Sequence, residues 1–283
     1  MPKRDALAYI EIENSVASAK IALQGGHIFH FEHKDQGSVL YLSDTATFKK
    51  GKAIRGGVPI CWPWFGAHKI DSTLPNHGFA RTSLWEHKVT EALSESETKV
   101  TLTLHASTET LALWPYQFSL TLDIYVGNVL RMHLTTQNLD SKPFTITSAL
   151  HTYLALDNIY ETEVDGLEEK HYYDKPKNTF CIQKGSIDFT KELDRIYQNV
   201  ENDIIVKDAK VQHTVQTDGA NMIVVWNPGE VLASRMPDLS KHTKMLCVES
   251  ANVLDDAVTL SQGESHTLSQ TITTQFTDFS ISQ

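Results

Sequence analysis

Two short stretches of this chain concentrate the residue types that hold a small anion with a carbon skeleton. Ile54-Arg55-Gly56-Gly57-Val58-Pro59 is followed about twenty residues later by Pro75-Asn76-His77-Gly78-Phe79-Ala80-Arg81. A guanidinium carries a fixed charge and a planar fork of donors that matches phosphate or carboxylate. Neighbouring glycines let the backbone come close to a ligand. One arginine beside a turn is ordinary surface, but two arginines and a histidine among glycines, prolines and aromatics point to an anion site.

Acid and base candidates lie elsewhere. His151 ends the mostly apolar run Phe144 to Leu150 in Ser148-Ala149-Leu150-His151-Thr152-Tyr153, where an ionisable ring needs a partner or a purpose. As a lone residue it reads more readily as a satisfied core histidine. Glu249 closes Met245-Leu246-Cys247-Val248-Glu249-Ser250, and a carboxylate among Leu and Val is rare unless paired or functional. Asp194, in Glu192-Leu193-Asp194-Arg195-Ile196-Tyr197, reads as part of a polar loop. Neither carboxylate identifies a reaction alone. His27, His30 and His33 have a spacing that invites a metal, but their segment alternates as a strand, so His30 faces away and the other two stand about 20 Å apart. Zinc is not expected there.

The elements that must position these residues are β-strands. Val100, Leu102 and Leu104 alternate with polar residues, as do Phe118, Leu120, Leu122 and Ile124, and then Leu130, Met132 and Leu134 beyond Gly127-Asn128, a dipeptide suited to a tight hairpin. Further strands are expected over 9–13, 19–23, 28–32, 39–42, 84–90, 143–148, 211–216, 221–226, 244–250 and 267–274. No window of about 12 residues holds a 3.6-residue period, so helices should be few and short. The fold class that follows is all-β, a large antiparallel sandwich, and residues 1–283 are expected to form one domain because no linker or low-complexity run interrupts them.

Composition narrows the partners. The chain has 283 residues and a net charge of −10, with 25 Lys and Arg scattered through it, which argues against nucleic acid. Met1-Pro2-Lys3-Arg4-Asp5 lacks the apolar core of a signal peptide, and no stretch approaches the roughly 18 apolar residues of a membrane span. A cytoplasmic monomer is expected. Cys61, Cys181 and Cys247 are odd in number and far apart, which suits reduced thiols.

Gly25-Gly26-His27, Leu42-Ser43, the run from Ile54 through Cys61-Trp62-Pro63-Trp64-Phe65-Gly66, His77-Gly78-Phe79-Ala80-Arg81, Leu150-His151-Thr152-Tyr153 and Cys247-Val248-Glu249 resemble the hexose-6-phosphate mutarotases, the glucose-6-phosphate 1-epimerase branch of the aldose 1-epimerase superfamily. The resemblance runs in order over nearly the whole chain. It implies a galactose-mutarotase-like supersandwich that interconverts the α and β anomers of a hexose 6-phosphate, D-glucose 6-phosphate first. It assigns the general acid to His151, the general base to Glu249, and substrate contacts to Arg55, Asn76, His77, Arg81 and Asp194. Asn76 stands where Gln is frequent in such enzymes, and Ser250-Ala251-Asn252 where some have Pro-Gly.

The chemistry fits those roles. Opening a pyranose takes one base for the O1 proton and one acid for the ring oxygen, with Glu ionised at neutral pH and His able to donate if an anion raises its pKa. No cofactor or metal is called for, and GxGxxG, P-loop and HExxH signatures are missing. Trp62, Trp64, Phe65 or Trp226 could wall the sugar ring. The alternatives are a free-aldose 1-epimerase, a non-catalytic phosphosugar-binding protein, and a glycoside hydrolase using Glu249 with Asp194.

Overall fold

The computed structural model describes residues 7–35 and 37–276; the N-terminal pentapeptide read above lies outside them. Strict alternation makes the strands. Phe118–Val126 and Leu130–Asn138 each bury every second residue and shelve the others, and they pair from Val126↔Leu130 to Phe118↔Asn138 around a three-residue turn beginning Gly127-Asn128.

Two eight-stranded antiparallel sheets result. The first runs in spatial order Thr179–Ile182, His171–Asp174, Leu193–Tyr197, Met222–Asn227, Met245–Asn252, Ser148–Leu150 and Ile60–Cys61, with Tyr153–Ala155 also paired to Met245–Asn252. The second runs Glu163–Asp165, Ile204–Lys207, Val211–Asp218, Ser265–Phe276, Leu130–Asn138, Phe118–Val126, Thr98–His105 and Glu86–Ala92. A four-stranded sheet from Tyr9–Glu13 to Gly37–Ser38 and a pair formed by Phe144–Ile146 with Val258–Leu260 complete the β structure. Thr108–Leu113 and Gly229–Ala233 are the two α-helices among the described residues, so the sandwich with short helices is borne out.

Apolar side chains of both large sheets fuse into one core, in which Val248 and Leu246 join Val100, Leu102, Leu120 and Leu134. Hydrogen-bonded polar ties cross it, as burial demands. The indole Nε1 of the fully buried Trp62 donates to Thr136 Oγ1 at 3.1 Å. Gln270 Nε2 donates to Ser250 Oγ at 2.9 Å and to the Val248 carbonyl at 3.2 Å.

Some expected elements changed. The 39–42 segment contributes isolated bridges, Leu40↔Leu154 and Leu42↔Gly56, in place of a continuous strand. The 143–148 segment splits at Thr147, whose N–H turns aside to Pro63 O at 3.0 Å, so Phe144–Ile146 and Ser148–Leu150 join different sheets. His27–His33 is a strand as expected, and its histidines separate. His27 bonds the Gly56 carbonyl, His30 meets Ser18 and His33 meets Asn128.

His213 links the two large sheets. Its Nε2–H donates to Ala155 O at 2.7 Å, and Nδ1 accepts from Thr274 Oγ1, 2.8 Å away. Burial holds its pKa down to about 4. In the folded state the ring therefore binds a proton less readily than in the unfolded chain, and stability falls as pH drops from about 6.5 towards about 4. This one group accounts for roughly 1.4 kcal/mol per pH unit within that window. Urea titrations of the wild type and His213→Asn between pH 7 and 4.5 should show a shallower acid loss in the variant. Equal slopes would mean that the ring already titrates normally.

Candidate active site

The centre of the site is fixed by strand register. Ser148↔Asn252, Ala149↔Ala251 and Leu150↔Ser250 pair on one side of a short interruption, and Tyr153↔Cys247 on the other. The same register carried across the gap sets His151 opposite Glu249. Their side chains meet, with His151 Nε2 and Glu249 Oε1 3.3 Å apart. The 55–61 segment flanks them, since His151 N–H donates to Pro59 O, Tyr153 N–H to Gly57 O, and Leu150 pairs with Ile60.

Asp194↔Trp226↔Cys247 and Ile196↔Val224↔Glu249 form successive rows of that sheet face. Asp194 thus belongs to the strand Leu193–Tyr197 and not to the polar loop its sequence suggested. The strand is hard to see because Asp194 and Arg195 are both half-buried, each held by charge. Asp194 Oδ2 pairs with Lys175 Nζ at 2.6 Å, and Arg195 Nε lies 3.7 Å from Asp174 Oδ2.

A cavity of about 260 Å³ opens over this face. Arg55, Asn76, His77, Arg81, His151, Asp194 and Glu249 all line it, with Phe65, Lys175, Val224 and Trp226. All seven residues singled out in the sequence therefore converge. Of the four aromatics offered as a wall, Phe65 and Trp226 are there. Trp62 is sealed in the core by the Thr136 bond, and Trp64 is turned away by donating to Pro75 O at 2.9 Å.

The cations are held differently. Arg55 donates through Nε and Nη2 to Asp238 Oδ2, at 3.2 and 3.1 Å, and through Nη1 to Tyr153 OH at 3.0 Å. Burial opposes its charge, but Tyr153 and Asp238 outweigh burial and keep it firmly protonated. Arg81 makes a single bond, Nη2 to Asn76 O at 2.7 Å. Lys175, which no sequence signal marked, lies 5.5 Å from the Phe65 ring centroid as well as on Asp194. In Asp174-Lys175-Pro176 it reads as an ordinary surface turn, because its partner is distant in sequence.

Electrostatics set the protonation of the core pair. Glu249 is 1% exposed and His151 8%. Burial, reinforced by Asp194, pushes Glu249 well above the usual carboxylate range. Burial, reinforced by His77, Arg81 and Arg55, holds His151 well below an ordinary imidazole. The sequence argument had Glu249 ionised and an anion raising His151. Glu249 stands 3.3 Å from the ring, but burial works against the charged form of both groups, raising the carboxyl and lowering the imidazole. Glu249 Oε2 and His151 Nδ1 have no protein partner.

His77 is tuned as a donor. Burial and the charges of Arg81, Lys175 and Arg55 hold its pKa down to about 3. Its Nδ1 accepts from Gly66 N at 3.3 Å, so the remaining proton sits on Nε2. The residue has a left-handed backbone at φ 65, and Gly78 follows at φ 70. A Cβ on Gly78 would stand 1.9 Å from the Trp62 carbonyl oxygen. That close approach carries Phe79 N–H to Trp62 O and sets the start of the turn bearing Arg81.

Comparison with known proteins places the chain among sugar epimerases. The family model described as aldose 1-epimerase matches residues 9–273. A candidate glucose-6-phosphate 1-epimerase of Cenchrus ciliaris is 36% identical over 263 residues, covering 87% of this chain and 78% of that protein. One from Escherichia coli K12 is 33% identical over 255 residues, covering 88% and 84%. The crystal structure of a candidate mutarotase from Salmonella typhimurium superposes with a TM-score of 0.90 at 31% identity, covering 96% of this chain and 92% of that one.

Gly78→Ala is expected to destabilise the fold by at least about 1 to 3 kcal/mol, from left-handed strain together with displacement of backbone. Thermal unfolding measures it. An unchanged midpoint would show that the Trp62 carbonyl yields freely.

Proposed function

We propose that this chain, which belongs to the aldose 1-epimerase family and is an isomerase that interconverts sugar anomers, takes a hexose 6-phosphate, D-glucose 6-phosphate first, and uses His151 and Glu249 for the proton transfers. The observation that carries the reading is the buried pair at 3.3 Å, its outer atoms unpartnered, below a cavity edged by Arg55, Arg81 and Lys175. O1 and the ring oxygen of a pyranose are bonded to the same carbon. An acid and a base within hydrogen-bond reach of each other can therefore serve both.

Glu249 takes the O1 proton while His151 gives a proton to the ring oxygen. The C1–O5 bond breaks, the C1 aldehyde forms, and rotation about C1–C2 presents the other face. Reversal of both proton transfers closes the ring. The single proton on the pair suffices: carboxylate with imidazolium becomes carboxylic acid with imidazole as the ring opens. Burial favours the second state. A phosphate of charge about −1.5 to −2, held by the arginines, offsets the cationic influence that depresses His151 and brings the first state within reach. Asp194 and Asn76 take sugar hydroxyls, His77 donates from Nε2, and Phe65 and Trp226 pack on the ring.

The competing hydrolase reading is disfavoured because the Asp194 carboxylate is committed to Lys175 at 2.6 Å. All these groups come from one chain, so the reading needs no partner subunit. A phosphorylated hexose is a charged intracellular metabolite, which assigns the protein to the cytoplasm.

Positioned acids and bases typically contribute about 10² to 10⁴ in rate. Glu249→Gln and His151→Asn should each lower kcat by at least about 10² with modest change in KM; near-normal turnover in either removes that residue from the mechanism.

Each arginine should supply a charge-assisted bond worth roughly 1.5 to 3 kcal/mol, about 10- to 150-fold in kcat/KM. Arg81→Ala and Arg55→Ala should therefore impair glucose 6-phosphate far more than glucose, and Arg81→Lys should recover part of the loss. Equal losses on both sugars would leave a general aldose mutarotase.

A further inference from the structure

Cys247 has no part in ring opening, yet it stands two residues before Glu249 on the same face of the strand Met245–Asn252. One donor atom from each of His151, Cys247 and Glu249 lies within 4.8 Å of the other two, and all three residues are buried. Among the described residues this is the group of His, Cys, Asp and Glu side chains compact enough to hold an ion. Ligation through His151 Nε2 and Glu249 Oε1 would exchange their mutual contact for the ion, and Glu249 Oε2 and His151 Nδ1 have no protein partner that would have to be given up.

We propose that His151, Cys247 and Glu249 form an inhibitory site for a thiophilic divalent cation of the zinc type, which occupies the acid and base and competes with the sugar. The inhibition half of this rests on the proton-transfer roles given above; the binding half does not. A thiolate, an imidazole and a carboxylate are the donors such ions prefer, and three protein ligands with an open fourth position are the usual zinc set. Ligand bonds of about 2.0 to 2.3 Å in a tetrahedron set donors roughly 3.4 to 3.6 Å apart. The His151–Glu249 contact is already at 3.3 Å, so closure needs a side-chain adjustment of roughly 1 Å at Cys247. Charge also balances. Binding releases the thiol proton and the carboxyl proton to solvent, and the two anions left neutralise the dication inside a dry site. Magnesium and calcium, which demand oxygen ligands, do not fit this set.

The test uses the purified full-length protein. Co²⁺ titration should give a thiolate-to-cobalt charge-transfer band that saturates at one equivalent, is bleached by Zn²⁺, and is lost in Cys247→Ser but kept in Cys61→Ser and Cys181→Ser. Zinc X-ray absorption of the wild type should show one sulfur with nitrogen and oxygen neighbours, a readout that does not depend on any variant folding. Zn²⁺ should inhibit anomer exchange competitively, at least 10-fold less in Cys247→Ser, and EDTA should restore the full rate. Absence of sulfur from the zinc shell, or a band unchanged in Cys247→Ser, overturns the site. Sulfur ligation without any anomer exchange in the metal-free protein would keep the site and remove the proposed function instead.

Discussion

The structure turns on one cross-strand pair. An imidazole and a carboxyl face each other on a sheet surface with almost no access to water, where an unpaired charge is expensive. Burial accordingly raises the carboxyl pKa and lowers that of the imidazole, working against the charged form of each. Interrupting the partner strand between Leu150 and Tyr153 leaves the register intact while freeing His151 from regular pairing. Tyr153 stacks on the imidazole with ring centroids 5.0 Å apart and planes 10° from parallel, and Trp226 closes its edge at 6.0 Å.

The charged rim follows from that couple. Burial first, and then His77, Arg81 and Arg55, discourage protonation of the imidazole, whereas Lys175 and Arg81 partly offset the effect of burial on the Glu249 carboxyl. Arg55 is the more rigidly held, by the 3.1 Å ion pair to Asp238 and the bond to Tyr153. Through Tyr153 the guanidinium is joined to the ring stacked on His151, so Arg55, Tyr153 and His151 form one packed unit. Arg81, tied to Asn76 by one bond, has more of its fork free.

Much of this was legible in the chain. Strict alternation in 118–126 and 130–136 announced the central hairpin, and arginine among glycines marked Arg55 and Arg81. The glycines proved necessary for a steric reason, the approach of Gly78 to the Trp62 carbonyl. What the sequence could not yield was set by contacts distant along the chain. The strand around Asp194 hides its period because charged groups buried by partners replace the apolar ones. Lys175 has no local mark at all. The electrostatics of the pair were not legible because identity alone gives reference pKa values, whereas burial on both sides works against the charged forms. Trp62 and Trp64 look like sugar platforms in sequence and are core residues by packing.

The central claim is that this cavity opens and closes the ring of a phosphorylated hexose. Two-dimensional exchange NMR on glucose 6-phosphate at equilibrium, with glucose alongside, measures it directly. The account predicts that micromolar protein accelerates exchange between the α and β signals of the phosphorylated sugar, and does so more strongly than for glucose. Exchange of glucose 6-phosphate no faster than in buffer would contradict it.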